Sequence, residues 1–277
     1  MAGRVGPHRE SHEPRLKAEM FSNITPVTGY LEWDGTTGIG AEWGMDSNDN
    51  FGDCGAAATD HYNMAKVQDY AQYGQLGMPQ YEGTLGTYGA YGIAQGETPL
   101  VPSPVGPIPD QGVDNATWLA FLYKKGIIDG YAEVDDNVLD WFTQTFRGVI
   151  LGLVIDGNQA ISDFDANPKV PWDAMGQSDG HDTLGIITHA DGSGSLVTWG
   201  GVQPYTLAFR QTNITDRWVI FDHDDPNVNW TELQSALDEV HGVVTPPVPP
   251  TPQETPENIF ERIEKYVARE FERLSAA

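Results

Sequence analysis

A chain of 277 residues with 39% hydrophobic content is long enough for one large domain or two small ones, and it can bury a packed core. Its net charge of −25 is concentrated, since residues 21–256 hold 32 acids against 7 bases, and such a body repels phosphate backbones and excludes nucleic acid as a partner. A single cysteine excludes an intramolecular disulfide, and the longest apolar stretch, Val149 to Ile155, is too short to cross a bilayer.

Residues 1–22 mix charge with Gly and Pro and read as an extended arm, either disordered or laid along a partner; the opening MAGRVGPHRESHEPR lacks the apolar core of a secretory signal. From Trp33 to Gly52 isolated aromatics sit among Gly, Asp and Asn, a loop-rich approach to a first helix. That helix should begin at Cys54 in CGAAATDHYNMAKVQDYAQY, with Asp53 capping its first turn. Residues 74–112 are dominated by Gly, Tyr and Pro and read as a long irregular segment. Two capped helices follow, one after Asn115 and one after Asp135 or Asp136, each stopped by a glycine.

Gly148 opens GVILGLVI, an apolar run of strand length that fits a buried central strand. THADGSGSL between TLGII and LVTWGG reads as an antiparallel hairpin, YTLAFRQT and RWVIFDH as further strand material, and NWTELQSALDEVHG as a helix. Residues 245–256 hold six prolines in twelve positions and form a stiff spacer. Residues 257–277 then place Phe260, Ile263, Val267, Phe271 and Leu274 on one helical face, which docks on another protein, on copies of itself or back on its own domain. The chain thus divides into an arm (1–22), a main domain (23–244), a Pro-rich linker (245–256) and an amphipathic helix (257–277).

Nucleophilic cysteine chemistry needs a thiolate, a base, a group that orients the base, and donors for the oxyanion. Cys54 stands where a helix dipole and unpaired N–H groups favour a thiolate, with small residues after it. His61, seven residues along the same helix, is about 10 Å away by helical rise and too far to take its proton. His189 ends a strand beside a turn and reads as solvated. DSNDNFGD around Asp46 misplaces its glycine for a calcium loop and lacks the closing glutamate, and no metal or cofactor is implied.

NDNFGDCGAAA resembles the nucleophile helix of papain-like cysteine peptidases, and 127 residues downstream of Cys54 the run GHDTLGIITHADGSGSLVTWGG looks like that family's histidine strand, turn and following strand. The resemblance spans residues 43–222. It implies an α+β, papain-like fold in which a central helix carrying the cysteine packs on an antiparallel sheet or half-barrel. It also implies Cys54 as nucleophile, His181 as base and Asn48, six residues before the cysteine, as oxyanion donor. The family's orienting Asn lies two positions before the Trp; Val197 stands there and cannot bond an imidazole, so Thr198, or a carboxylate such as Asp182 or Asp191, is left to hold His181.

The fuller pattern WGMDSNDNFGDCGAA, GHDTLGI and VTWGGVQPYT is similar to papain-like domains of minor virion proteins from tailed phages of actinobacteria. That likeness implies a structural virion component, minor tail or minor capsid, assembled in the bacterial host cytoplasm, tethered by its termini, and partnered by other virion proteins or by its own copies through the terminal helix. The alternative is an active cysteine peptidase or amidase acting on peptide bonds such as those of peptidoglycan stems. The missing orienting Asn favours the first reading, and Cys54, His181 and Asn48 favour the second.

Overall fold

The computed structural model describes residues 15–16, 30–36, 43–67, 81–221 and 233. The Pro-rich linker, the C-terminal helix and most of the N-terminal arm lie outside the described residues, as does all of the helix expected at 229–242 except Leu233, which is buried against the core.

In chain order the elements are β1 (Arg15–Leu16), β2 (Trp33–Asp34), α1 (Cys54–Val67), α2 (Tyr81–Ala94), α3 (Asn115–Lys124), β3 (Gly130–Val134), a 3-10 turn (Asp136–Val138), α4 (Leu139–Phe146), β4 (Val149–Ile155), α5 (Gly157–Ala166), β5 (Asp179–Thr188), β6 (Gly194–Thr198), β7 (Gly201–Tyr205), α6 (Leu207–Asn213) and β8 (Ile214–Phe221). The fold is α+β. One sheet runs β1-β3-β8-β4-β5-β6-β7, with β2 beside β5, and every pairing except the parallel β1–β3 pair is antiparallel. Two residues of the arm therefore belong to the sheet edge.

All seven residues of β4 are buried, as a central strand covered on both faces requires. Alternation divides its side chains between two cores. Ile150 joins Leu184, Ile186, Val197, Trp218 and Ile220 under α1, α2 and α3. On the other face Leu151, Leu153 and Ile155 join Leu196, Trp199, Val219 and Phe221 under α4 and α6. Helix α1 is fixed to the first face by Tyr62, whose hydroxyl donates to Ile220 O at 2.7 Å, and by Thr59, whose hydroxyl accepts from Trp118 Nε1 at 3.0 Å.

Several elements differ from the sequence reading. Residues 81–94 lie within the stretch expected to be irregular, yet they form α2. Glycines at 83, 86, 89 and 92 recur every third residue, and Gly89 and Gly92 serve close approach rather than turning. A Cβ at Gly89 would meet Ile108 Cγ2 at 2.6 Å, and one at Gly92 would meet Pro109 Cβ at 2.7 Å. Leu85, Tyr88 and Tyr91 supply the buried side chains of the helix.

Of YTLAFRQT, expected as strand, Tyr205 ends β7 but Leu207 onward forms the helix α6, because Thr206 caps it by accepting from Phe209 N at 3.2 Å. The cap of α3 is Asp114, accepting from Thr117 N, with Asn115 as the first helical residue, and Asp135 makes no side-chain cap bond. The strand β3 and the helix α5 were not anticipated.

If close approach is the reason for the glycines of α2, Gly89→Val should lower stability by about 1–3 kcal/mol through overpacking against Ile108, although valine is the better helix former. Urea denaturation of the two proteins measures this, and a stabilised Gly89→Val protein would mean that α2 does not pack there.

Candidate functional site

The loop that delivers Cys54 is tied down before the helix begins. Gly44 forms an isolated bridge with Gly200 in the β6–β7 turn, where Trp199 and Gly200 both take positive φ. A Cβ at Gly200 would lie 3.2 Å from Gly44 O. Asp46 and Ser47 also adopt left-handed φ, of 50° and 69°. His61 reaches from α1 back to this loop, with Nε2 3.1 Å from Gly44 O and 3.2 Å from Asp46 Oδ2. Burial alone would lower the His61 pKa, but the hydrogen bond and charge of Asp46 outweigh it and the net shift is upward. On the other side, Asp110 Oδ1 accepts from Gly52 N at 2.7 Å and from Tyr88 Oη at 2.9 Å.

Cys54 opens α1 with only 5% of its surface exposed. Its thiol donates to Asp182 Oδ2 at 3.5 Å. Asp182 sits opposite Gly152 of β4, and Gly152 in turn sits opposite Asp216 of β8, so two aspartates flank a glycine across three strands. The glycine is required, because a Cβ at position 152 would fall 2.0 Å from Asp216 Oδ1. Asn115, at the start of α3, closes the group: its Nδ2 donates to Asp182 Oδ1 at 2.7 Å and to Asp216 Oδ1 at 3.3 Å. Gly55 leaves room for Asp182 from the helix side, where a Cβ would lie 3.2 Å from Asp182 Oδ2 and 2.3 Å from Val113 Cγ2.

The electrostatics follow from bringing like charges together in a confined place, with Asp216 buried and Asp182 half-buried. Desolvation first, then the charge of Asp216, push the Asp182 carboxyl up to about 8. Desolvation likewise raises Asp216 to about 6, against the lowering effect of the Asn115 hydrogen bond. For Cys54, burial and then the negative charge of Asp182 drive the thiol well above its ordinary value. The helix dipole favours the thiolate by about 0.3–1 kcal/mol. An ionised carboxylate at this separation opposes it by about 4 kcal/mol at an effective dielectric near 20. Asp182 therefore loses its proton before Cys54 does, and the thiol stays protonated.

Of the four residues singled out from the sequence, His181 and Thr198 touch each other, while Asn48 and Cys54 each bond an aspartate. Asn48 Nδ2 donates to Asp53 Oδ1 at 3.3 Å, and Asp53 is itself buried, its carboxyl raised well above normal by desolvation. His181 follows the alternation of β5: Asp182, Leu184 and Ile186 face α1, whereas His181 lies opposite Leu153 and stacks on Trp199 at 4.9 Å in the core beneath α4 and α6. Its Nε2 is 2.7 Å from Thr198 Oγ1. Thr198 thus touches the imidazole, and Cys54 touches the residue after it. Asp191, the other carboxylate considered for His181, instead accepts from Ser193 N and Oγ, and half-buried His189 pairs with Glu32 at 2.8 Å.

Asp216 and the bridging role of Asn115 were missed from sequence, although a lone glycine inside the apolar run GVILGLVI was a usable sign of a close approach. Among the described residues, no group of three His, Cys, Asp or Glu side chains is arranged to hold a metal ion.

Carboxyls with raised folded pKa values keep protons that the unfolded chain has released, so stability should fall as pH rises above the unfolded value near 4. Asp216 contributes to that fall up to about 6 and Asp182 up to about 8. The slope for each is at most about 1.4 kcal/mol per pH unit. Urea midpoints measured across this range should decline, and Asp182→Asn should flatten the decline above pH 6; a parent protein equally stable at pH 5 and pH 8 would contradict the cluster's electrostatics. Comparison with family models gave no match for this chain, and comparison with curated proteins gave none either.

Proposed function

We propose that the chain is a structural component of a phage particle, in which the domain resembling papain-like hydrolases serves as a binding or spacing module and Cys54 does no hydrolytic work. The observation that carries this reading is the partner of the thiol. A nucleophilic cysteine sits in positive surroundings with a base poised to take its proton. Cys54 instead donates to a carboxyl in a group with two aspartates, and both burial and that charge keep its proton on.

The assignment to a particle rests on the resemblance of WGMDSNDNFGDCGAA, GHDTLGI and VTWGGVQPYT to papain-like domains of minor virion proteins. The Pro-rich spacer at 245–256 and the apolar stripe of 257–277 support it, as a tether and an anchor that a free peptidase does not need. One observation favours the second reading, a cysteine peptidase or amidase: a hydroxyl 2.7 Å from His181 Nε2 is what an orienting group supplies.

Alkylation of Cys54 by iodoacetamide as a function of pH separates the two. The structural reading expects slow alkylation with an apparent pKa at or above the ordinary value of about 8.5. It also expects no change on His181→Ala and a lower pKa on Asp182→Asn. A depressed pKa that rises when His181 is removed would establish a working ion pair and transfer the assignment to a hydrolase. For the particle assignment, mass spectrometry of purified phage should find the chain in the particle at a fixed copy number, and its confinement to the soluble lysate would overturn that half.

A further inference from the structure

On the face of the sheet away from Cys54, a cleft of about 450 Å³ is lined by Tyr30, Leu31, Asp136, Asn137, Asp140, Trp141 and Arg210. We propose that this cleft is a binding site for a neutral saccharide, with Trp141 as its apolar wall and Asp136 and Asn137 as its hydrogen-bonding rim. The proposal goes beyond the particle reading and is independent of the state of Cys54.

The lining is fixed before any ligand arrives. Arg210 is almost wholly buried, yet its guanidinium is fully engaged: Nε meets Asp136 Oδ1 at 2.9 Å, Nη1 meets Asp140 Oδ1 at 2.7 Å, and Nη2 donates to Asp136 O at 3.1 Å. Its face lies 4.5 Å from the centroid of Tyr30. The Tyr30 ring is held from another side by Gly192, where a Cβ would come within 2.4 Å. Leu31 N donates to the second oxygen of Asp140 at 2.9 Å. Such preorganisation lowers the ordering cost that binding would otherwise carry.

Charge balance argues for a neutral guest. Asp136 and Asp140 face Arg210, and Asp136 is shared with Arg217 at 3.1 Å, so two acids meet two bases. An anion would meet the carboxylates. A cation would have to compete with a guanidinium already seated on Asp136 and on Asp140, whose other oxygen is held by Leu31 N.

What remains on offer is hydrogen bonding at the mouth and an apolar plane beside it. The Asp136 side chain keeps 41% of its surface exposed, and Asn137 is exposed. Trp141 is half-buried, its ring set edge-on against Phe142 at 4.9 Å and Phe146 at 6.5 Å. Vicinal hydroxyls suit an acid and an amide side by side, and the C–H face of a sugar ring suits an indole. The volume lies within the range of small-molecule sites and accommodates a mono- or disaccharide.

Isothermal titration of the full chain with glucose, galactose, rhamnose, N-acetylglucosamine, maltose, lactose and chitobiose tests the proposal, with lysine amide and inorganic phosphate as charged probes. At least one sugar should bind with a dissociation constant between about 10 μM and about 10 mM. Trp141→Ala should weaken it at least tenfold. Asn137→Trp, at an exposed position outside the core, should block the cleft while leaving the circular dichroism and urea midpoint unchanged, which guards against a folding defect in the first variant. No binding by any of these sugars, binding indifferent to both substitutions, or preferential binding of either charged probe would overturn the assignment.

Discussion

Asp182 and Asp216 flank Gly152 on one face of the sheet and accept hydrogen bonds from the same Asn115 amide. Two carboxyls brought together beneath a helix end, Asp216 buried and Asp182 half-buried, are tolerable while at least one of them keeps its proton. The surrounding geometry serves this arrangement: a glycine in β4 makes room for Asp216, a glycine after Cys54 makes room for Asp182, and α3 begins where its first residue reaches both acids. Cys54 is the fourth member of the group, and its chemistry is set by the acids before any histidine is considered.

That arrangement gives the sequence candidates different partners on the two faces of β5. Adjacent residues of β5 point to opposite faces, so Asp182 belongs to the α1 core and His181 to the core beneath α4 and α6. Each of the sequence candidates is well packed in its own right: His181 against Trp199 and Thr198, Asn48 against Asp53, Cys54 against Asp182. Packing of that quality stabilises a fold without requiring that the groups act together. The cleft around Arg210 shows the contrasting case, in which charges are paired, the lining is rigid, and the mouth reaches solvent.

Much of the fold was legible where one physical signal dominated. GVILGLVI had to be a buried strand because it is apolar on both faces, and THADGSGSL had to turn because its glycines and polar residues interrupt two apolar runs. Position 54 as a helix start followed from the helix formers and apolar spacing after it and from Asp53 before it. The reading failed where one residue type serves two purposes. The glycines of α2 look like loop formers unless the opposing Ile108 and Pro109 are known, and LAFRQTN looks like a strand until Thr206 is recognised as its cap. The His181–Thr198 contact was legible in the sequence, but the contact of Cys54 with Asp182 was not, because which neighbour of a strand faces the thiol depends on register, and register is a property of the whole sheet.

The central claim is that Asp182 and Asp216 form a coupled pair that gives up its last proton only above neutral pH, and that the same burial, together with the charge Asp182 acquires on ionising, holds Cys54 as a thiol. Carbon-13 NMR of protein labelled at the aspartate carboxyls, followed from about pH 3 to about pH 10, tests this most directly. One resonance should titrate near 8 and be absent from Asp182→Asn, with a second titrating near 6. If every aspartate completes its titration below about pH 5, the cluster is not the desolvated, coupled pair described, and the burial invoked to hold the Cys54 proton is contradicted with it.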